Sequence, residues 1–182
     1  MTGGLFSSLM SDREEQQRAG RVTGLRFAEV ADITDDGYVL QWLSGAVDTP
    51  SAPARAAAFM AGNERGAYFP FEIGDEVVVG FEEGHLDRPV ILGALWSDQD
   101  LPPPDADTTS TNNTRTIVSR AGSELTFDDT QGATKVLLKS AGGMELLLDD
   151  SAKTLTIKFD DSTKIELSAA GVTVKGSTIN LN

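Results

Sequence analysis

SELTFDDTQGATKVLLKSAGGMELLLDDSAKTLTIKFDDSTKIELSAAGVTVKGSTINLN, residues 123–182, is a succession of short segments with apolar residues at every second position. Leu125/Phe127, Leu146/Leu148, Leu155/Ile157/Phe159, Ile165/Leu167, Val172/Val174 and Ile179/Leu181 carry the alternation. A period of two places these side chains on one face of a strand and the intervening Thr, Lys and Glu on the other. Three segments close alike, with an apolar residue, two aspartates and a hydroxyl: Phe127-Asp128-Asp129-Thr130, Leu148-Asp149-Asp150-Ser151 and Phe159-Asp160-Asp161-Ser162. The offsets of 21 and 11 residues are about two units and one unit of a repeat roughly ten residues long. Regular short strands separated by turns mark a β-solenoid or related repeat architecture. The expected shape is a rod.

About sixty residues of strand with one apolar face each are too few to bury that face within one chain. Open edges would also invite pairing with other chains. Association of identical chains around an axis resolves both problems, most simply as a trimer forming a three-sided prism.

The chain has 182 residues, one ordinary domain plus an appendage, and no cysteine, so disulfides, thiol nucleophiles and Cys-ligated zinc are excluded. No apolar run approaches a membrane span, and MTGGLFSSLMSDREEQQ lacks the pattern of a secretory signal, so synthesis in the cytoplasm is expected. A net charge of −13 repels phosphate backbones and argues against nucleic acid as a partner. Every lysine lies at or after Lys135, every arginine at or before Arg120, and every proline at or before Pro104. That split predicts two structural units with a boundary between about 100 and 122.

Residues 1–20, with a Leu5/Phe6/Leu9/Met10 cluster, read as an N-terminal arm, either frayed or ordered against a partner. From 21 to 96 the pattern is all-β: a first strand in RVTGLRFAEV, the Asp35-Asp36-Gly37 turn, YVLQWL, an undecided stretch at 52–60, then EVVVGF and RPVILGALW. Five short strands in about 75 residues suit a small Greek-key barrel such as an OB-fold. Residues 97–122, with Pro102-Pro103-Pro104 followed by Asp, Thr, Ser and Asn, read as a stiff connector that passes into a strand at RTIVS. The β-repeat then occupies 123–182.

The segment from Gly66 to Gly93 resembles the signature of the phage baseplate V and Vgr spike family. The resemblance rests on Pro70, then Gly74-Asp75-Glu76-Val77, Phe81 ending the strand, an acidic loop, and Asp87-Arg88-Pro89-Val90 with Leu92 and Gly93. A barrel, a proline linker and Asp-rich β-repeats in that order extend it over about residues 20–182. It implies an OB-fold barrel followed by an intertwined trimeric β-helix. It also implies a central spike of a contractile injection system, whether phage tail, type VI apparatus or extracellular tailocin-like particle. The implied partners are hub, baseplate and tail-tube proteins and a separate PAAR-like tip protein, with the target membrane met only by puncture. In residue terms, the motif positions have scaffold roles: Gly84 supplies a permissive loop backbone, and Pro89 starts a strand without forfeiting a ladder bond.

Reactive chemistry is sparse. The single histidine, His85, has only Asp87 nearby in sequence and reads as a solvated loop residue. Relatives with a tip iron carry His-x-His, whereas this sequence reads Ser177-Thr-Ile-Asn-Leu-Asn182, so no iron and no other cofactor is expected. The Asp pairs 128/129, 149/150 and 160/161 lack the glycine-rich calcium-roll pattern and read as corner turns. No catalytic residue is assigned, and the 97–122 linker is too short for an inserted enzyme. Ile179 and Leu181 would close the last layer as a platform for a tip protein. The competing reading is a carbohydrate-binding fibre or adhesin, stacking sugars on Tyr38, Trp42, Tyr68 or Trp96. A solenoid lyase or hydrolase would need a longer solenoid and a catalytic cluster.

Overall fold

The structure is a computed structural model that describes residues 21–43, 49–104, 106 and 109–180. The expected N-terminal arm and Leu181 lie outside the described residues. The chain divides into two compact units, Met1–Asp100 and Leu101–Asn182. Both are built from strands; one 3-10 turn, Glu82–Gly84, is the only helical element among the described residues.

In the first unit β1 (Arg26–Thr34) and β2 (Gly37–Trp42) form a hairpin. After them come β3 (Arg55–Ala56) and the small hairpin β4 (Ala61–Gly62) with β5 (Arg65–Gly66). β6 (Glu76–Phe81) and β7 (Pro89–Ala94) complete the unit. β1 pairs antiparallel with β2 and β6, β6 antiparallel with β7, and β7 parallel with β3. Ala54, just ahead of β3, exchanges two backbone hydrogen bonds with Tyr38 of β2, at 3.0 and 2.8 Å. The circuit β1-β2-β3-β7-β6 therefore returns to β1. That is the closed five-strand connectivity of an OB-fold, reached without a free sheet edge.

Alternation explains the core. Ala28 and Val30 of β1, Tyr38, Leu40 and Trp42 of β2, Val77 and Val79 of β6, and Ile91 of β7 all point inward, joined by Ala54. Two irregularities bend the wall: the β1–β2 register shifts between Val30 and Asp32, and the β6–β7 register between Val78 and Val79. Such bulges tighten twist where a small barrel must curl. Phe71 meets Tyr38 edge-on at 5.5 Å, and Phe81 meets Trp42 at 5.7 Å. The Arg26 guanidinium lies over both Trp42 and Phe81, with one buried Nη1 lacking a hydrogen-bond partner. Gly37 is required by the closure: its φ is +137°, and a Cβ there would lie 2.5 Å from the Ala54 carbonyl oxygen.

The second unit is a single sheet of seven strands, each five residues long. They are β8 (Thr114–Val118), β9 (Glu124–Asp128), β10 (Lys135–Lys139), β11 (Glu145–Asp149), β12 (Thr154–Lys158), β13 (Lys164–Ser168) and β14 (Gly171–Lys175). Their spatial order is their chain order, every pairing antiparallel. Within one chain the repeat is thus an up-and-down meander, and no coil closes its face. KVLLK and KIELS are strands over their full length, and RTIVS falls on β8. No strand forms at 177–180, within the STINLN segment expected to form one; Val172 and Val174 belong to the last paired strand, and among the described residues the far edge of β14 meets no further strand.

Candidate functional site

In a five-residue strand the second and fourth side chains share a face. Register aligns these positions across the whole sheet: Ile117 opposite Leu125, Phe127 opposite Val136, Leu138 opposite Leu146, Leu148 opposite Leu155, Ile157 opposite Ile165, and Leu167 opposite Val172. The result is one continuous apolar face of thirteen side chains, with Arg115 of β8 as its fourteenth position. Nine of the thirteen remain between 38% and 66% exposed in the single chain. These nine leave on the order of 800 Å² of side-chain surface in water, about what each partner of a standard stable interface buries. A patch of that size exceeds what monomeric soluble proteins ordinarily show.

The first, third and fifth positions form the opposite, polar face. Over β9 to β12 its outer rows alternate in charge, Glu124, Lys139, Glu145 and Lys158 on one side and Asp128, Lys135 and Asp149 on the other; beyond β12 the first row continues with Lys164 and Lys175 and the second carries no charge. Lys135 reaches Asp149 at 3.5 Å and Lys158 reaches Glu145 at 3.8 Å. Asp161 and Glu145 together hold the Lys158 ammonium pKa above its ordinary value. In the middle row Thr116 and Thr126 share a hydrogen bond of 2.7 Å, beside Leu137 and Leu147. Opposite charges facing across strands favour this register over a slip. The sequence reading missed these rows; their signal was an acid at both ends of β9 and β11 and a base at both ends of β10 between them.

The Asp pairs all lie where strands turn, and the first Asp of each caps its own turn. Asp128 accepts from Thr130 N–H at 2.9 Å, Asp149 from Ala152 N–H at 2.9 Å and the Ser151 hydroxyl at 2.8 Å, and Asp160 from Ser162 N–H at 2.8 Å. These are Asx turns. Such bonds favour the ionised carboxylate, so all three aspartates titrate below the ordinary range: Asp128 chiefly through the Thr130 hydroxyl, Asp149 through the Ala152 N–H, Asp160 through the Ser162 hydroxyl. The second aspartates each meet a cation: Asp129 pairs with Arg115, Asp150 with Lys153 at 3.8 Å, Asp161 with Lys158 at 3.0 Å. The pairs do not share one edge. β9 and β11 run the same way, so 128/129 and 149/150 lie together, whereas β12 runs back and puts 160/161 on the opposite edge. No group of three or more metal-ligating side chains occurs among the described residues.

The motif residues of the barrel serve its scaffold. Gly74 donates to Val30 at 2.9 Å, and Asp75 accepts from Glu72 N–H at 2.8 Å, closing the turn into β6. Glu76 begins β6, Val77 is core and Phe81 packs on Trp42. Pro89 is buried at the first position of β7, opposite Phe81; Val90 follows it. Glu82 donates its N–H to the Arg88 carbonyl at 3.1 Å, which shuts the loop holding His85 and the exposed Asp87. Leu92 points outward against Gly80, and Gly93 pairs with Val78. Pro70 lies exposed in the segment before β6. Of the four aromatics named for sugar stacking, Tyr38 and Trp42 are core residues and only Tyr68 and Trp96 are exposed. Burial raises the Tyr38 hydroxyl pKa, and that hydroxyl accepts from Phe71 N–H at 3.3 Å. Ile179 is half exposed. No helix among the described residues is long and apolar enough to cross a membrane.

Two comparisons bear on this arrangement. Residues 11–96 match the family model of the type VI secretion system/phage-baseplate injector OB domain. The type VI secretion system spike protein VgrG3 of Vibrio cholerae serotype O1 is 27% identical over 126 residues, 68% of this chain. The matched stretch is 12% of that relative's length.

Proposed function

We propose that this chain, whose residues 11–96 match the type VI secretion system/phage-baseplate injector OB domain, is the homotrimeric central spike of a contractile injection machine. The observation that carries the finer reading is the open apolar face of the seven-stranded sheet. Three copies turning those faces toward a common axis bury them, with the β8 edges gathered at one end and the β14 edges at the other, giving the β-helical prism. Its action is mechanical. The strand ladders of three sheets packed face to face must break together before such a prism bends, so contraction of a sheath transmits force through it to the target envelope. The barrel engages hub, baseplate and tail-tube proteins, and the far end of the repeat, with Ile179 and Leu181, offers a platform to a separate PAAR-like tip protein. In this reading the family motif from Pro70 to Gly93 is scaffold, the Asp pairs are turns of the prism, and no catalytic step or cofactor is involved. The protein is made in the cytoplasm and works within the assembled phage tail-like particle.

The test is direct. Purified chain should run as a denaturant-resistant trimer, and a labelled copy should appear at the distal end of isolated particles. A stable monomer by light scattering rejects the trimer. Deletion of residues 172–182 should spare the trimer and abolish tip capture; unchanged capture rejects the platform.

A further inference from the structure

The apolar face is nearly uniform, and uniformity creates a problem of register. Strand after strand presents a pair drawn from Val, Leu, Ile and Phe, so two copies slipped by one strand, about 4.8 Å, still match apolar to apolar over most layers. Inverted copies match almost as well. Interdigitation alone discriminates weakly among such arrangements, as it does in coiled coils with uniform seams. One position breaks the uniformity. Arg115 is the second residue of β8, stands opposite Phe127 and lies on the apolar face. It is the only charged side chain among the fourteen face positions, and it is ion-paired with Asp129 from the turn after β9. Both side chains are more than half exposed in the single chain.

Resting on the oligomer reading above, we propose that the Arg115–Asp129 pair is the determinant that sets register and polarity between copies of this chain. β8 is an edge strand, so its guanidinium lies at the end of the face. Copies aligned in register and in the same direction bring their Arg115–Asp129 pairs to one end, where all stay hydrated. Any slip that carries β8 inward, and any inversion, sets a guanidinium over the Val, Leu or Ile of a neighbour and removes it from water without a new partner. A single polar position in an apolar seam selecting one alignment is the best-attested use of such groups.

The chain has no cysteine, so Thr173→Cys on the polar face of β14 provides one spin-label site per copy. Pulsed electron spin measurements on the labelled oligomer should give a single narrow interchain distance. Arg115→Leu should keep the oligomeric mass while splitting or broadening that distance; Arg115→Lys, which retains the charge, should keep it narrow. A narrow, unchanged distance in Arg115→Leu overturns the proposal, and so does broadening in Arg115→Lys equal to that in Arg115→Leu. Should Arg115→Leu not be recovered in folded form, Arg115→Gln decides by the same readout. A monomeric wild-type chain is a distinct result, and it removes the oligomer reading together with this one.

Discussion

Leu148→Asp is the substitution that most directly separates a covered apolar face from a solvated one. Leu148 is the fourth residue of β11, flanked on its face by Val136 and Leu155, and is 45% exposed in the single chain. Covering the rest of that side chain, on the order of 90 Å², contributes about 2 kcal/mol per copy at ~25 cal/mol per Å². An aspartate there forfeits that term and places an unpaired carboxylate in the interface, which costs several kcal/mol per ion even after relaxation. Over three copies the loss exceeds ~10 kcal/mol, about seven orders of magnitude in the association constant. Sedimentation at micromolar concentration should therefore find a wild-type trimer and a Leu148→Asp monomer. Thr156→Lys is the control: it places a charge on the opposite face of the neighbouring strand, between Leu147 and Glu166, and should leave the trimer intact. Equal masses for wild type and Leu148→Asp, or dissociation by Thr156→Lys to the same extent, would refute the reasoning.

Three further outcomes are expected. Gly37→Ala should destabilise the barrel by about 3–4 kcal/mol, because its Cβ would strike the Ala54 carbonyl, strain a positive φ and break the two closing hydrogen bonds; Gly24→Ala, with φ +85° and open space around it, should cost only about 1 kcal/mol, and equal denaturant midpoints for the two would count against the closure. Asp128, Asp149 and Asp160 bind protons less tightly folded than unfolded, so their contribution is complete above the unfolded carboxylate pKa of ~4 and is lost as pH falls through the lowered folded values; the melting temperature of the repeat should drop across that acid window, and Asp160→Asn should flatten the drop. Lys135→Glu sets three acids in a row with Asp128 and Asp149 and should cost about 1–2 kcal/mol, shrinking in 1 M salt; a salt-independent melting temperature would contradict the charge rows.

Short-range patterns carried most of the secondary structure. EVVVGF became β6 and KVLLK became β10 residue for residue, because a strand needs only alternation and a turn at each end, and both are written within a few positions. Asp35-Asp36-Gly37 likewise announced its hairpin through a glycine whose positive φ a side chain would oppose. The Gly74-Asp75-Glu76-Val77 and Arg88-Pro89-Val90 motif pointed to the family now matched over residues 11–96.

What depended on partners distant in sequence was hidden. The two-residue strand Arg55–Ala56 has no period to detect, yet its parallel pairing with β7 and the Ala54–Tyr38 bonds are what close the barrel. Tyr38 and Trp42 look like exposed stacking residues as letters and are core because the barrel curls around them. Likewise, the sequence alone showed that residues 123–182 repeat and have an apolar side, since period two survives any arrangement of the strands. Only the tertiary structure decided that successive strands run back and forth. That parity puts two Asp pairs on one edge and the third on the other, and brings Arg115 onto the apolar face beside Asp129. Alternation specifies faces, but direction and neighbour are properties of pairing, which no local window of the chain contains.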